Sequence, residues 1–391
     1  MERVPVVPRS GYREKIEALG FDFHGDYWRE EACYHFTARE IEQLETATAE
    51  AYRMYCEAAA YLIEEKPEWM ERALGLPREV CERIRDSWDA DELSLYGRFD
   101  FLLDRNGIPK ILEFNADTPT SLLEASVIHC HWITDASSKE ASVIQWQWKE
   151  DVCPQYDQYN GIHEGLVQSW KDIFPEGGAI HFAGVLDNSE DTGTLQYLAS
   201  TAMEAGFSTR VLDMNDLDLQ DGIFHDPSGD VVKRCFKLYP WEWMADESPA
   251  GCLADVTWVE PVWKLVMSNK AILCTLFELF PDSPYVLPCY LSRPQSGLYC
   301  KKPVFSREGH NVSMLEIHDW EERIRLPETE GEYNTGAYVY QQYVEPTVYQ
   351  GRYPVIGSWI VGGEPAGIGI RENRSEVTDN LSEFVPHIIV G

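Results

Sequence analysis

Arg98, Asp100, Glu113 and Asn115 are the residues whose types and spacing first suggest chemistry. They lie in the stretch Leu95–Leu123, LYGRFDFLLDRNGIPKILEFNADTPTSLL. Leu95, Gly97, Phe99 and Phe101 alternate with Tyr96, Arg98 and Asp100, the period of a half-buried strand. Asp104-Arg105-Asn106-Gly107 supplies a turn that tolerates positive φ. Ile111–Asn115 reads as the return strand, with Ile111, Glu113 and Asn115 on one face. An antiparallel hairpin sets Asp100 and Glu113 opposite or diagonal, roughly 5–8 Å apart. Like charges so close are unfavourable unless a cation lies between them. Two carboxylates and an amide oxygen, with gaps for water and phosphate, suit Mg²⁺. The same alternation also fits the solvated polar face of an ordinary hairpin.

A second candidate stretch is Lys302-Pro303-Val304-Phe305-Ser306-Arg307-Glu308-Gly309. A strand lysine there could face a nucleotide while a loop brings Arg307 over its phosphates. Gly309 would allow close backbone approach. No Gly-Lys-Ser/Thr and no Gly-x-Gly-x-x-Gly occurs, so a P-loop or dinucleotide fold is not indicated. His129-Cys130-His131 could bind a metal, but no second ligand cluster accompanies it.

The elements that must position these groups read as follows. Residues 1–36 are aromatic and irregular, and are expected to wrap onto a later domain. Thr37-Ala38-Arg39-Glu40 is a capping box that opens a helix to about Glu65, stopped by Pro67. Shorter helices are expected around Trp69–Leu74 and Pro77–Asp86, before the hairpin. Ser121 or Thr120 could cap a short helix whose amides face the carboxylate patch and would favour an anion. Asn160–Phe174 reads as a helix, Ala179–Leu186 as a buried strand, Thr194–Ala205 as a helix and Ser208–Leu212 as a strand. That order predicts a small parallel α/β layer, with the polar loop Asn188–Thr194 at the strand's carboxyl end, where ligands tend to sit. Glu190 and Thr194 are therefore candidate substrate contacts; the alternative is an acidic surface loop. Val231–Tyr239 reads as a strand and Trp263–Phe280 as one helix carrying Lys264 and Lys270. Strands are expected at Gly297–Lys302 and Tyr338–Tyr343, with a last hairpin turning at Gly362-Gly363.

At 391 residues the chain exceeds what one core usually supports. Three parts are expected: 1–135 with the helical segment and the hairpin, 136–260 with the α/β substrate layer, and 261–391 with the nucleotide lobe and a lid at 303–311. The ten cysteines are scattered without Cys-x-x-Cys and read as reduced and mostly buried. No stretch reaches the roughly 18 apolar residues of a membrane span. The opening MERVPVVPRSGYREK lacks the apolar core of a signal peptide, which points to the cytoplasm. A net charge of −33 argues against nucleic acid and anionic membranes as partners. The same field would attract a cationic amine, although acidity also simply keeps a protein soluble.

RFDF followed by LEFNADTPTSLLEA, with KKPVFSREGHNV, YQQYV and GIGIREN further on, closely resembles the glutathionylspermidine synthase family. The closer likeness is to its short, synthetase-only members, the acid–amine ligases. The resemblance implies an ATP-grasp fold with a small parallel α/β domain inserted or packed beside it. It implies ATP and Mg²⁺ as cofactors, and small-molecule carboxylate and amine substrates. Asp100, Glu113 and Asn115 would hold Mg²⁺. Arg98 and Arg371 would steady the transferred γ-phosphoryl, and Arg307 would close the loop. Lys270 and Lys302 would contact the nucleotide, with Gly309 in the clamp loop, and the Gln341-Gln342 segment would meet adenine. Thr118, Thr120 and Ser121 stand where the bifunctional relatives place serines that contact glutathione. Pro119 changes that segment, so glutathione and spermidine are not expected to be the efficient pair. The implied reaction forms an acyl phosphate and then an amide, with no histidine, cysteine or serine nucleophile. Rival readings are an ATP-binding protein that has lost ligation, and a plain phosphotransferase.

Overall fold

The computed structural model describes residues 1–20, 27–134, 157–307, 309–331, 333, 336–377 and 382–391. The fold is mixed α/β, as expected. At its centre lies an antiparallel sheet of five strands in the order Glu383–Val385, Glu364–Asn373, Tyr353–Val361, Tyr96–Leu103 and Pro109–Asn115. Alternation and the Asn106-Gly107 turn produce the expected hairpin. Its register sets Asp100 directly opposite Glu113 and Arg98 opposite Asn115, with a bulge after Asp100. Phe99 and Phe114 stack with ring centres 4.0 Å apart, and Tyr55 meets both edge-on at 5.2 Å. Tyr55 belongs to the helix Ala38–Ala60, opened by the predicted Thr37/Glu40 capping box. The helix thus covers the apolar face of the hairpin and turns the polar face to the opposite side.

A second antiparallel sheet runs Cys289–Tyr290, Tyr338–Gln342, Gly297–Pro303, Ser313–His318, Glu321–Leu326. The expected parallel layer is present: Thr257–Val259, Arg234–Leu238, Ala179–Gly184 and Ser208–Asp213 lie side by side, all parallel. The helix Ser189–Glu204 makes the crossover from Ala179–Gly184 to Ser208–Asp213.

Several expectations need correction. The first 36 residues are not merely irregular: Glu2–Pro5 and Ala32–Thr37 are strands, and the latter pairs in parallel with His387–Val390. The span Trp263–Phe280 is two helices, Lys264–Ser268 and Ile272–Leu279. Asn269 breaks it: its side chain takes the Ala271 N–H at 3.0 Å and donates to Val266 O at 2.7 Å, replacing helical bonds. The Asn188–Thr194 loop is largely helical, because the Asn188 carbonyl caps the Glu190 N–H at 3.0 Å. A helix does begin at Leu122, with the Ser121 carbonyl taking the Ala125 N–H at 3.3 Å, although Ser121 has φ 68° and its hydroxyl meets Tyr27 at 3.2 Å. Among the described residues, no helix is long and apolar enough to cross a membrane, and no group of three His, Cys, Asp or Glu could hold a metal. His129 instead accepts the His387 N–H at 2.9 Å in the core.

Candidate active site

The polar face of the hairpin carries a buried charge cluster. Arg98 and Asp100 leave the same face two residues apart, 4% and 5% exposed. Arg98 Nε donates to Asp100 Oδ1 at 2.7 Å and Nη2 to Oδ2 at 3.2 Å, while Nη1 donates to the Thr120 carbonyl. Arg371, from the next strand but one, donates Nη2 to Asp100 Oδ2 at 2.6 Å. Burial alone would raise the Asp100 pKa; the two guanidiniums outweigh it and hold it at about 2. Asp100 is therefore ionised at any physiological pH. Opposite, Glu113 pairs with Lys270 Nζ at 2.9 Å. Burial pushes its pKa up, but Lys270 and Lys302 hold it below the usual value despite Asp100.

Lys270 stands in the break between the two helices, and its ammonium also donates to the Ser306 carbonyl, where it tethers the 303–311 loop. Lys302, at the end of its strand, donates to Gln341 Oε1 at 2.7 Å and Leu112 O at 3.2 Å. Gln341 returns an N–H to Ile111 O at 2.8 Å, so this network ties the second sheet to the hairpin. Arg307 reaches across to Thr118 Oγ1 at 2.7 Å and Glu242 Oε1 at 2.8 Å, over the Trp243 ring. Between these groups lies a cleft bordered by Glu113, Asn115, Asp117, Glu242, Lys270 and Arg307.

The remaining candidates are placed as follows. Gln341 is buried and Gln342 exposed, the latter giving its N–H to Pro288 O at 2.7 Å. Gly309 lies in the turn after Arg307 with φ 70°, which a glycine adopts without strain. Thr120 faces the cluster through its carbonyl, and the Ser121 hydroxyl meets Tyr27 at 3.2 Å. Glu190 is in the first turn of its helix; Thr194, 4% exposed inside that helix, offers no surface to a substrate.

Sequence reasoning missed four neighbours. Lys237 and Asp117 form a buried pair at 2.6 Å, and Asp117 also accepts the Trp241 N–H at 2.8 Å. A lysine inside a buried parallel strand needs such a partner, and that was the available signal. Glu242 anchors Arg307. Gly357, opposite Asp100, leaves room for Arg98: a Cβ there would sit 2.8 Å from Arg98 Cδ.

Asp100, Glu113 and Asn115 offer only hard oxygen donors, which suits Mg²⁺ rather than a metal that prefers nitrogen or sulfur. Asn115 Nδ2 is buried without a partner, so the amide is not committed to the surrounding protein. Both carboxylates are presently countered by side-chain cations, and the set is too small to enclose an ion. It fits a cation that completes its shell with water and phosphate oxygens.

The family model described as glutathionylspermidine synthase preATP-grasp matches residues 3–139 and 134–390. A protein of Haemophilus influenzae, provisionally named an acid–amine ligase, is 34% identical over 412 residues, with 100% of both chains covered. Trypanothione synthetase of Crithidia fasciculata is 26% identical over 364 residues, 84% of this chain and 52% of that one. The bifunctional glutathionylspermidine synthetase/amidase of Escherichia coli is 26% identical over 392 residues, 91% of this chain and 59% of that one. The chain thus spans little more than half the length of these two larger relatives. The match runs through nearly every residue, the charged hairpin included, and this chain belongs to the glutathionylspermidine synthase preATP-grasp family.

Proposed function

We propose that this protein is an ATP-dependent carboxylate–amine ligase. One observation carries the reading: Arg98 and Arg371 converge on Asp100 directly opposite Glu113, which Lys270 binds, beside an open cleft. Three cations and two carboxylates gathered here would be an odd investment for a structural hairpin, since taking charges out of water costs several kcal/mol each. They make sense as cations held in readiness for a more highly charged anion. When a triphosphate enters, Arg98 and Arg371 keep their fork geometry and can turn donors from Asp100 to phosphoryl oxygens. Lys270 and Lys302 neutralise the nucleotide side.

The reaction would run in two steps. A substrate carboxylate attacks the γ-phosphorus, giving ADP and an acyl phosphate. An amine then attacks the acyl carbon and expels phosphate, leaving an amide. The first step brings two anions together, so charge neutralisation matters more than proton transfer. Asp100, Glu113 and Asn115 would hold Mg²⁺, which supplies further neutralisation of the phosphates. An acyl phosphate is lost to water unless it is shielded. The 303–311 loop is the proposed lid, with Arg307 at its tip. Thr118, Thr120 and Ser121 border the proposed acid site, and Glu190 is the proposed contact for the amine. The proposed division of labour keeps 1–135 for the hairpin, 136–260 for substrate and 261–391 for nucleotide. Calorimetry with ATP, with and without Mg²⁺, tests the reading: Mg-dependent binding is expected, and no binding in either condition would sink it.

A further inference from the structure

Cys274 and Cys289 come from different elements and meet: their sulfurs are 3.5 Å apart. Cys274 lies in the helix Ile272–Leu279 and Cys289 in the strand Cys289–Tyr290. The two elements are held together again by Phe277 and Tyr290, edge-on at 5.7 Å. Cys274 is partly exposed, whereas Cys289 is 2% exposed. Neither is used in the chemistry above. A disulfide bond is about 2.05 Å long, so closing one here needs about 1.5 Å of approach between sulfurs already in contact.

We propose that Cys274 and Cys289 are a redox-active dithiol, closed by a hydroperoxide to an intramolecular disulfide that weakens nucleotide binding. Cys274 is the sulfur that solvent reaches. Its thiolate attacks the outer peroxide oxygen; the O–O bond breaks, and the departing oxygen takes a proton and leaves as an alcohol, or as water from hydrogen peroxide. Cys274 is then a sulfenic acid. The Cys289 sulfur attacks it, its thiol proton is lost, the S–O bond breaks and water leaves. Two thiols and one hydroperoxide have become one disulfide, one alcohol and one water. Burial and the hydrogen bond with Cys274 hold the Cys289 thiol pKa well above its usual value, which suits it to resolve rather than to initiate.

The link to nucleotide binding rests on the ligase reading and on what each cysteine is attached to. Cys289 pairs across the sheet with Gln341, whose side chain holds Lys302 Nζ at 2.7 Å. The helix that carries Cys274 begins just after Lys270, the partner of Glu113. Whatever part of the sulfurs' approach side-chain rotation does not take up falls on the two backbones that position the proposed nucleotide lysines.

The test uses the full chain, titrated with hydrogen peroxide and digested without reductant. The expected result is a peptide linked through Cys274 and Cys289, absent in Cys274→Ser and released by dithiothreitol. Calorimetry should then show ATP affinity at least tenfold weaker in the oxidised protein and restored by the reductant. Reduced Cys274→Ser should bind ATP like the wild type and keep that affinity after peroxide. Oxidation of Cys274 to sulfinic acid with Cys289 still free, or linkage only to other cysteines, overturns the dithiol. A quantitative 274–289 linkage with unchanged ATP affinity overturns its regulatory role. If the reduced protein binds no ATP, the ligase reading fails, and peptide mapping still decides whether the dithiol exists.

Discussion

Replacing Arg98 by lysine should depress turnover steeply while leaving ATP affinity nearly unchanged. The guanidinium makes three hydrogen bonds, two as a fork to Asp100 and one to the Thr120 carbonyl. Lysine keeps the charge but cannot make the planar fork. The cost to the fold is bounded, because Asp100 still holds Arg371 at 2.6 Å. Losing one charge-assisted bond from a buried carboxylate costs about 1.5–3 kcal/mol of stability. The cost to chemistry should be larger. A donor aimed at charge that spreads over the γ-phosphoryl in the transition state is typically worth ~3–4 kcal/mol, or roughly two to three decades in rate. Asp100 remains ionised down to about pH 2, so its protonation will not blur the comparison at assay pH. Turnover by ADP release, ATP affinity by calorimetry and melting temperature should be measured on Arg98→Lys and Arg98→Ala. The rival explanation is that the Arg98–Asp100 pair only braces the hairpin. In that case Arg98→Lys would turn over near-normally, and losses in Arg98→Ala would track its melting temperature. Near-normal turnover in Arg98→Lys refutes the assignment.

Gly357→Ala tests the same arginine without touching it: the new Cβ would press on Arg98 Cδ from 2.8 Å, at a cost of about 1–3 kcal/mol. We expect a turnover loss of at least tenfold, read by ADP release; unaltered turnover would show that Arg98 need not stay where it is. Acid should destabilise the protein through His129, whose pKa burial lowers from 6.5 to about 4, with His387 lowered beside it. The unfolded chain takes up the proton from pH 6.5 downward while the folded chain refuses it until about pH 4. Stability from this source is thus intact above pH 6.5 and falls by ~3 kcal/mol toward pH 4, at about 1.4 kcal/mol per pH unit. Denaturant melts across that range should show His129→Gln, which keeps an acceptor for the His387 N–H, with a shallower decline. Glutathione with spermidine should be a poor substrate pair, since Thr118-Pro119-Thr120-Ser121 presents a proline-stiffened segment at the proposed acid site. Rapid formation of glutathionylspermidine, followed by mass spectrometry, would reverse that expectation.

Much of the site was legible because its signals are local. Alternation and Asn106-Gly107 specify the hairpin, and the hairpin alone sets Asp100 against Glu113. The parallel layer was legible from its β–α–β order, although the polar loop became helix once Asn188 capped it. Long-range partners were not legible. Nothing near Ala32–Thr37 in sequence announces that its partner strand is His387–Val390, at the other end of the chain. The break at Lys270 was hidden inside an apolar run that reads as one helix, because Asn269 acts through bonds visible only in three dimensions. Gly357 carries no signal of its own in the sequence; its meaning depends on which side chain passes over it. The Lys237–Asp117 pair joins residues from separate layers, so either charge alone was ambiguous.

The central claim is that this cleft activates a carboxylate with ATP and passes it to an amine. It is tested most directly by following oxygen. A productive acid–amine pair is first chosen by ADP release in Mg-ATP, and the acid is then supplied with oxygen-18 in its carboxylate. The account predicts one labelled oxygen in the released phosphate for every amide formed. Amide formation with unlabelled phosphate, or ADP release that no acid and amine together increase, would contradict it.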